Sequence, residues 1–289
     1  MQPPSPLEPV LAHVRAEPSR TWSIIITFFG DAIVPRGGNV WLGTLLAFFK
    51  GMGIGETVVR SAVSRLTAEG WLVRTKRGRN SFYHLAARGQ DTFAQATRQI
   101  YYPHRQHWNG AFEALMVENG ARETVAAALD RAHFGMPMPG LFITLSAQAM
   151  PAPGPGMVRF NLSGSADNLR DLATKAWDLT ALAGFYQRFG EVFTPLKLAL
   201  TRDVYLSPLE AILARVLLIH AYRRIALRDP MLPAEILPAD WPGETAQALC
   251  AEIYTKLLTP SEAWLNANML GEELCGQPEN PELYTRFRP

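Results

Sequence analysis

The 289-residue sequence is short of several things, and each shortage excludes a class of protein. Two cysteines, Cys250 and Cys275, are too few for a disulfide framework and read as reduced thiols of a cytoplasmic protein. The longest dense apolar stretch, Trp22 to Phe29, falls far short of the ~20 residues of a membrane span. The first 19 residues hold five prolines and no basic stretch ahead of an apolar core, so they are expected to form a flexible arm and not a secretory signal. HExxH, GxSxG and a glycine-rich phosphate loop are all missing. His104 and His107 stand three apart with no cysteine or acid cluster beside them, so no metal site and no cofactor are expected. What is present is an apolar fraction of 48%, enough to bury a sizeable core. The length corresponds to about two domains at ~150 residues each.

The charge is unevenly divided. Net charge is +2 overall, yet residues 1–110 carry +7 and residues 111–289 carry −5. Residues 54–90 hold seven basic side chains against Glu56 and Glu69 alone. A basic module on a mildly acidic body suggests that one end of the molecule meets a polyanion.

The order of elements in that module sharpens the suggestion. Residues 20–34 read as a buried helix, and residues 41–50 as a short apolar helix. Gly51, Gly53 and Gly55 make a turn, and a third helix runs from Glu56 to Glu69 until Gly70 stops it. On a wheel at roughly 100° per residue, Val58, Val59, Ala62, Val63 and Leu66 fall on one side. Thr57, Arg60, Ser61, Ser64 and Ala68 fall opposite, with Arg65 at the border. That outward face is small, polar and basic, as a helix lying in a DNA groove requires. Trp71–Lys76 and Ser81–Leu85 then alternate around Arg77-Gly78-Arg79-Asn80, which reads as a β-hairpin tipped by Arg74, Lys76, Arg77 and Arg79. Helix, turn, helix and basic hairpin form the order of a winged helix-turn-helix. Tyr83 and His84 are expected to pack within the hairpin.

Residues 87–102 suit a connecting helix, and residues 101–109 a linker. Strands are expected at Ala111–Val117, Gly140–Leu145 and Met157–Leu162, with helices at Ala121–Arg131 and Asp167–Ala173. Short strands alternating with helices suggest a ferredoxin-like sandwich. From Lys175 the chain is helical, with an apolar stripe at Leu179, Leu182, Ala183, Tyr186 and Phe189. Ser207-Pro208-Leu209-Glu210 is a capping box, and Thr259-Pro260-Ser261-Glu262 repeats the same start signal. The last dozen residues read as a loose tail. The fold class is therefore α+β. A flexible arm (1–19) precedes a winged helix-turn-helix domain (20–100) and a linker (101–109). A ferredoxin-like middle domain (110–174) and a helical C-terminal domain for effector binding and dimerisation (175–289) follow.

Three segments together resemble one family, the PaaX-type transcriptional regulators, repressors of phenylacetic acid degradation operons. They are residues 23–85, AWDLTAL (176–182) and HAYRRIALRDPMLPAEILPADWPG (220–243). The resemblance implies a homodimer that represses catabolic genes and is released by an aryl-acetyl-CoA thioester such as phenylacetyl-CoA. On that footing Thr57, Arg60, Ser61, Ser64 and Arg65 face the major groove of operator DNA, while Arg74, Lys76, Arg77 and Arg79 hold phosphates. A CoA thioester needs cations at one end and an aromatic slot at the other. His220, Tyr222, Arg223, Arg224, Arg228 and Trp241 offer both within a short span. The alternative is an enzyme, either a nuclease using Glu113 and Glu118 of the middle domain or a hydrolase of CoA esters. Cys250, among apolar neighbours, reads as a buried structural thiol and not a nucleophile.

Overall fold

Apolar spacing places the first helices of the computed structural model, which describes residues 5–17, 19–103, 108–118, 125, 128–129, 132–145, 154–269 and 280–288. Helix α1 spans Glu8–Ala16, and α2 (Thr21–Phe28) continues into a π-helical turn, Phe29–Ile33. Strand β1 (Asn39–Trp41), α3 (Leu42–Gly51) and α4 (Glu56–Ala68) follow, then the hairpin β2 (Leu72–Arg77) and β3 (Asn80–Leu85) and the long α5 (Ala87–Tyr101). The three strands form an antiparallel sheet in the order β1-β3-β2.

The chain divides into two compact units. The first comprises Met1–Tyr102, Arg188–Arg224 and Thr245–Pro289; the second comprises Pro103–Gln187 and Ile225–Glu244. The first unit joins stretches that composition alone assigns to separate domains. Phe28, Phe48 and Trp264 stack at ring separations of 4.7 and 6.3 Å, and the Thr44 hydroxyl donates to the Asn268 carbonyl. Periodicity reports which face of a segment is buried and not what covers it, so this partnership is invisible in the sequence.

Residues 8–16 form a helix where an arm is expected. Leu7 and Val10 are buried, and the Ser5 hydroxyl donates to Glu210 at 2.6 Å. Proline is compatible with a first helical turn, so proline density there does not exclude a helix. Glu210 also completes the expected capping box with Ser207 at the start of α8 (Pro208–Ala226). The second start signal is overridden. Pro260 lies inside the continuous helix α9 (Gly243–Asn268), whose Leu257, Leu258, Ser261 and Leu265 are all buried. Proline removes one hydrogen bond of the ladder, and apolar burial on both sides offsets that loss.

The expected loose tail is also ordered at its end. Leu283 is buried, and Phe287 packs edge-on against Tyr101 and Tyr254. Arg286 reaches the centre of the first unit. There Asp31, on the π-helical turn, accepts hydrogen bonds from Tyr101 (2.6 Å), Tyr254 (3.1 Å) and Arg286 (2.9 Å). Arg215 of α8 lies 2.7 Å from Asp31 and donates to Glu262 and Ser261. Arg36 completes the cluster against Glu262 and Asn266. All three guanidinium groups are buried. Burial and the Asp31 charge push the Tyr101 hydroxyl well above its ordinary pKa. Burial works against the charge of Arg215, but Asp31, Tyr254 and Glu262 outweigh it and hold its pKa above the usual value.

The second unit contains β4 (Ala111–Val117), β5 (Gly135–Met138), β6 (Leu141–Thr144), β7 (Met157–Ser163) and α6 (Ala166–Ala176). Its sheet is antiparallel in the order β5-β6-β4-β7. Strand β5 is absent from the sequence reading because its four residues, GMPM, include a glycine and a proline, both of which argue against a strand. Leu115, Val117, Leu129, Phe134 and Phe142 form the core on one face. The expected helix 121–131, His104, His107 and Cys275 lie wholly or largely outside the described residues. Helix α7 (Leu179–Thr201) carries the expected buried stripe through Leu179, Leu182, Tyr186 and Phe189.

Candidate nucleic-acid interface

Helix α4 is anchored by Val59, Val63 and Leu66, each at most 1% exposed. Those three buried positions point the remainder outward. Thr57, Arg60, Ser61, Ser64 and Arg65 are all exposed. Val58 differs from the expected inward position and is 50% exposed. It lies about 100° from the middle of the Val59–Val63–Leu66 stripe and shares a flank with Ser61 and Arg65. The outward face is thus polar and basic with one apolar side chain near its N-terminal end.

The two arginines of α4 have partners one turn away. Arg60 sits 3.3 Å from Glu56, and Arg65 lies 2.7 Å from Glu69. Both pairs are exposed, and such pairs contribute about 0–1 kcal/mol at most. They hold the guanidinium groups in place at little cost to a stronger anion.

Gly70, at φ 74°, turns the chain from α4 into the hairpin. Gly78 occupies the first position of the two-residue loop with φ 58°, a conformation that side chains resist. In register, Arg74 faces Tyr83, Lys76 faces Ser81 and Arg77 faces Asn80. Arg74, Lys76, Arg77 and Arg79 are exposed. The Arg74 guanidinium donates to the Ser81 hydroxyl at 2.8 Å, and that of Arg77 lies 5.8 Å from the centre of the Phe82 ring. Tyr83 is 7% exposed, as expected of a hairpin packing residue. All nine residues singled out from the sequence therefore lie on the solvent side of one helix and one hairpin. The arrangement offers hydrogen-bond donors and positive charge along two adjoining elements, the chemistry that phosphate oxygens and base edges accept.

The six residues proposed for an effector separate. His220, Tyr222, Arg223 and Arg224 belong to the first unit, Arg228 and Trp241 to the second. His220 is buried, with Nδ1 2.9 Å from the Thr27 hydroxyl. Burial and the charges of Arg223 and Arg224 push its pKa down to about 3, so the ring is neutral at pH 7. Arg223 donates to the Ser23 carbonyl and hydroxyl, and Arg224 reaches Ser19 at 3.4 Å. Tyr222 is 3% exposed and packs against Phe189 and Phe287. In the second unit Arg228 lies over Phe185, and Trp241 meets Tyr186 edge-on. His220 and Arg224 share a cleft with Arg20 and Trp22. Those last two were missed, because in sequence they read only as the edge of a buried helix.

One carboxylate of the enzyme alternative is engaged elsewhere. Glu113 is paired with Arg159 at 3.1 Å. Among the described residues no group of three or more His, Cys, Asp or Glu side chains gathers as metal ligands would. Cys250 is fully buried, and burial raises its thiol pKa well above the usual value, which keeps it protonated. No described helix is long and apolar enough to cross a membrane.

Comparison with known proteins bears on the whole chain. It is 33% identical to the "Transcriptional repressor PaaX" of Escherichia coli over 96% of this chain and 92% of the relative. A solved structure of an uncharacterized Mycobacterium tuberculosis protein is similar at a TM-score of 0.49 and 23% identity, covering 76% of this chain and 89% of that one. A family described as PaaX-like protein matches residues 20–89, and its C-terminal domain matches residues 177–267. The first match spans the basic helix and hairpin, and the second spans the helices that bury Arg215 and Glu262. With a relative of this identity aligned along nearly its full length, the chain belongs to the PaaX-like family.

Proposed function

We propose that the protein is a cytoplasmic, DNA-binding transcriptional repressor of a phenylacetate catabolic operon, a regulator and not an enzyme, released from its operator by an aryl-acetyl-CoA thioester such as phenylacetyl-CoA. The observation that carries the reading is the outward, cationic face shared by α4 and the hairpin. The E. coli relative, a repressor by name, supports it. In this reading residues 20–100 act as a winged helix-turn-helix. Helix α4 enters the major groove with Arg60, Ser61, Ser64 and Arg65, Thr57 lies near the helix start, and Val58 meets a thymine methyl. Arg74, Lys76, Arg77 and Arg79 hold the neighbouring backbone.

The four-stranded sheet of the second unit has the strand order of a ferredoxin-like domain, and residues 110–174 are assigned to that class. Residues 175–289 form the effector and dimerisation domain of the scheme. Val158 faces Met116 across the sheet, Met116 faces Leu141, and Leu141 faces Met138. Val158, Met116 and Met138 are 52–60% exposed, an apolar row on which a homodimer contact would extend beyond residues 175–289. A symmetric dimer requires a palindromic operator with half-sites about one helical turn or a multiple apart. In the first unit His220, Arg223 and Arg224 are the candidate counter-charges for the effector, with Tyr222 buttressing them from the core, and in the second unit Arg228 and Trp241 are a candidate cation and aromatic wall. The thioester must bind the DNA-incompetent arrangement more tightly than the competent one.

Gel shifts on the promoter upstream of the neighbouring catabolic genes test the reading. If six to ten phosphates are neutralised, affinity falls ~10³–10⁵-fold between 50 and 200 mM salt. Added phenylacetyl-CoA dissociates the complex. A flat salt response removes the DNA interface, and a complex indifferent to every acyl-CoA removes the effector.

A further inference from the structure

Arg223 and Arg224 adjoin one another near the end of α8, and among the described residues neither meets a carboxylate. Arg223 has lost much of its hydration. Burial and the charge of Arg224 pull its pKa down to about 10, the sign of a cation lacking a counter-charge. Its Nε, the Nε1 of Trp22 and the Nε2 of His220 are all buried without a hydrogen-bond partner. Unpartnered buried donors are costly, and three in one neighbourhood require an explanation.

His220, only 4% exposed, contributes a donor in the tautomer protonated at Nε2. The Thr27 hydroxyl has one proton and two candidate acceptors, the Ser23 carbonyl at 3.1 Å and His220 Nδ1 at 2.9 Å. The carbonyl already accepts from Arg223 and, in helical geometry, from the Thr27 N–H. In the tautomer in which the hydroxyl serves Nδ1, the ring proton resides on Nε2. Ser19, Arg20, Trp22, His220 and Arg224 line a single open cleft of about 450 Å³. Glu17 also borders it, with its carboxylate 3.3 Å from Arg188. The N-terminus of α2 opens beside the cleft with no side-chain cap, adding further N–H donors and the positive end of a helix dipole.

We propose that this cleft binds the phosphate or diphosphate group of a small molecule, with Arg20, Arg224, Trp22 Nε1 and His220 Nε2 as its donors. The excess of donors, the unbalanced cations and the lack of a free acid on the wall all call for a ligand that is anionic and acceptor-rich. The proposal deepens the effector reading by seating the phosphate end of the thioester here. It rests on that reading for the identity of the ligand and not for the existence of the site.

Isothermal titration of the full chain at low salt tests it, with phenylacetyl-CoA, free CoA, ADP, pyrophosphate and phenylacetate as probes. The phosphate-bearing probes bind and compete with one another, and phenylacetate does not compete. Preference for CoA over ADP and pyrophosphate identifies a CoA ligand, and equal binding identifies a general phosphate site. The double variant Arg20→Ala/Arg224→Ala, both exposed positions, weakens these probes at least about tenfold. Its melting curve checks that it is folded. His220→Phe, which keeps the ring and loses its N–H donor, weakens them independently. Failure of every phosphate-bearing probe to bind, or equal binding by wild type and both variants, overturns the proposal. Equal binding of phenylacetyl-CoA by the variants with intact DNA release defeats the cleft and spares the effector reading. Variant-sensitive phosphate binding that never releases DNA does the reverse.

Discussion

The first unit uses arginine in two opposite ways. On α4 and the hairpin the guanidinium groups are exposed, and those of α4 rest against glutamates of their own helix. Around Asp31 the same side chain is fully buried and committed to carboxylates drawn from remote parts of the chain, Asp31 and Glu262 being 231 positions apart. Exposed pairs contribute little because water screens them, so their cations remain available to a polyanion. A buried pair gains its attraction only by surrendering hydration, so loss of one partner leaves the other stranded. Arg223 falls between these limits, partly desolvated yet uncompensated.

The contrast is broken most directly at the buried end. Arg215→Ala or Asp31→Ala is expected to lower unfolding free energy by about 3–5 kcal/mol in urea titrations. A loss below about 1 kcal/mol would erase the distinction between the two sets of arginines. The intermediate set is probed by pH. His220 titrates near 3 when folded against about 6.5 when unfolded. The unfolded chain therefore binds the extra proton within that window. Its contribution to stability is intact above about pH 6.5 and disappears as pH falls toward 3. In unfolding titrations between pH 6 and 4.5, replacing His220 by Gln should flatten the stability slope by up to about 1.4 kcal/mol per pH unit.

At the exposed end, changing Arg74, Lys76, Arg77 and Arg79 together to Ala should leave stability within about 1 kcal/mol of wild type. The logarithmic salt slope of DNA binding should fall by about 3–4. An unchanged slope would take the hairpin out of the interface. The smallest effect is expected at the helix pairs. Glu56→Gln and Glu69→Gln should each shift stability by no more than about 0.5 kcal/mol while tightening DNA binding. Weaker DNA binding would mean that these acids position Arg60 and Arg65 productively.

The basic helix and hairpin were legible because their signals are local. Apolar spacing at Val59, Val63 and Leu66 sets the outward face of α4, and Gly78 with flanking alternation sets the hairpin. The misjudged positions are those where a neighbour distant in sequence intervenes. Val58 sits on a flank whose cover spacing alone does not specify. The segments 8–16 and 281–287 are ordered by packing onto helices that come from elsewhere in the chain. Local spacing by itself thus determined the basic, outward-facing module, because turn chemistry and helical periodicity act within a few residues. Tertiary structure alone decided that Arg286 would join Arg215 at Asp31, and that Arg20 and Trp22 would meet His220 and Arg224. Hydrogen bonds and charges across about two hundred positions depend on how helices pack, and no short-range pattern encodes that.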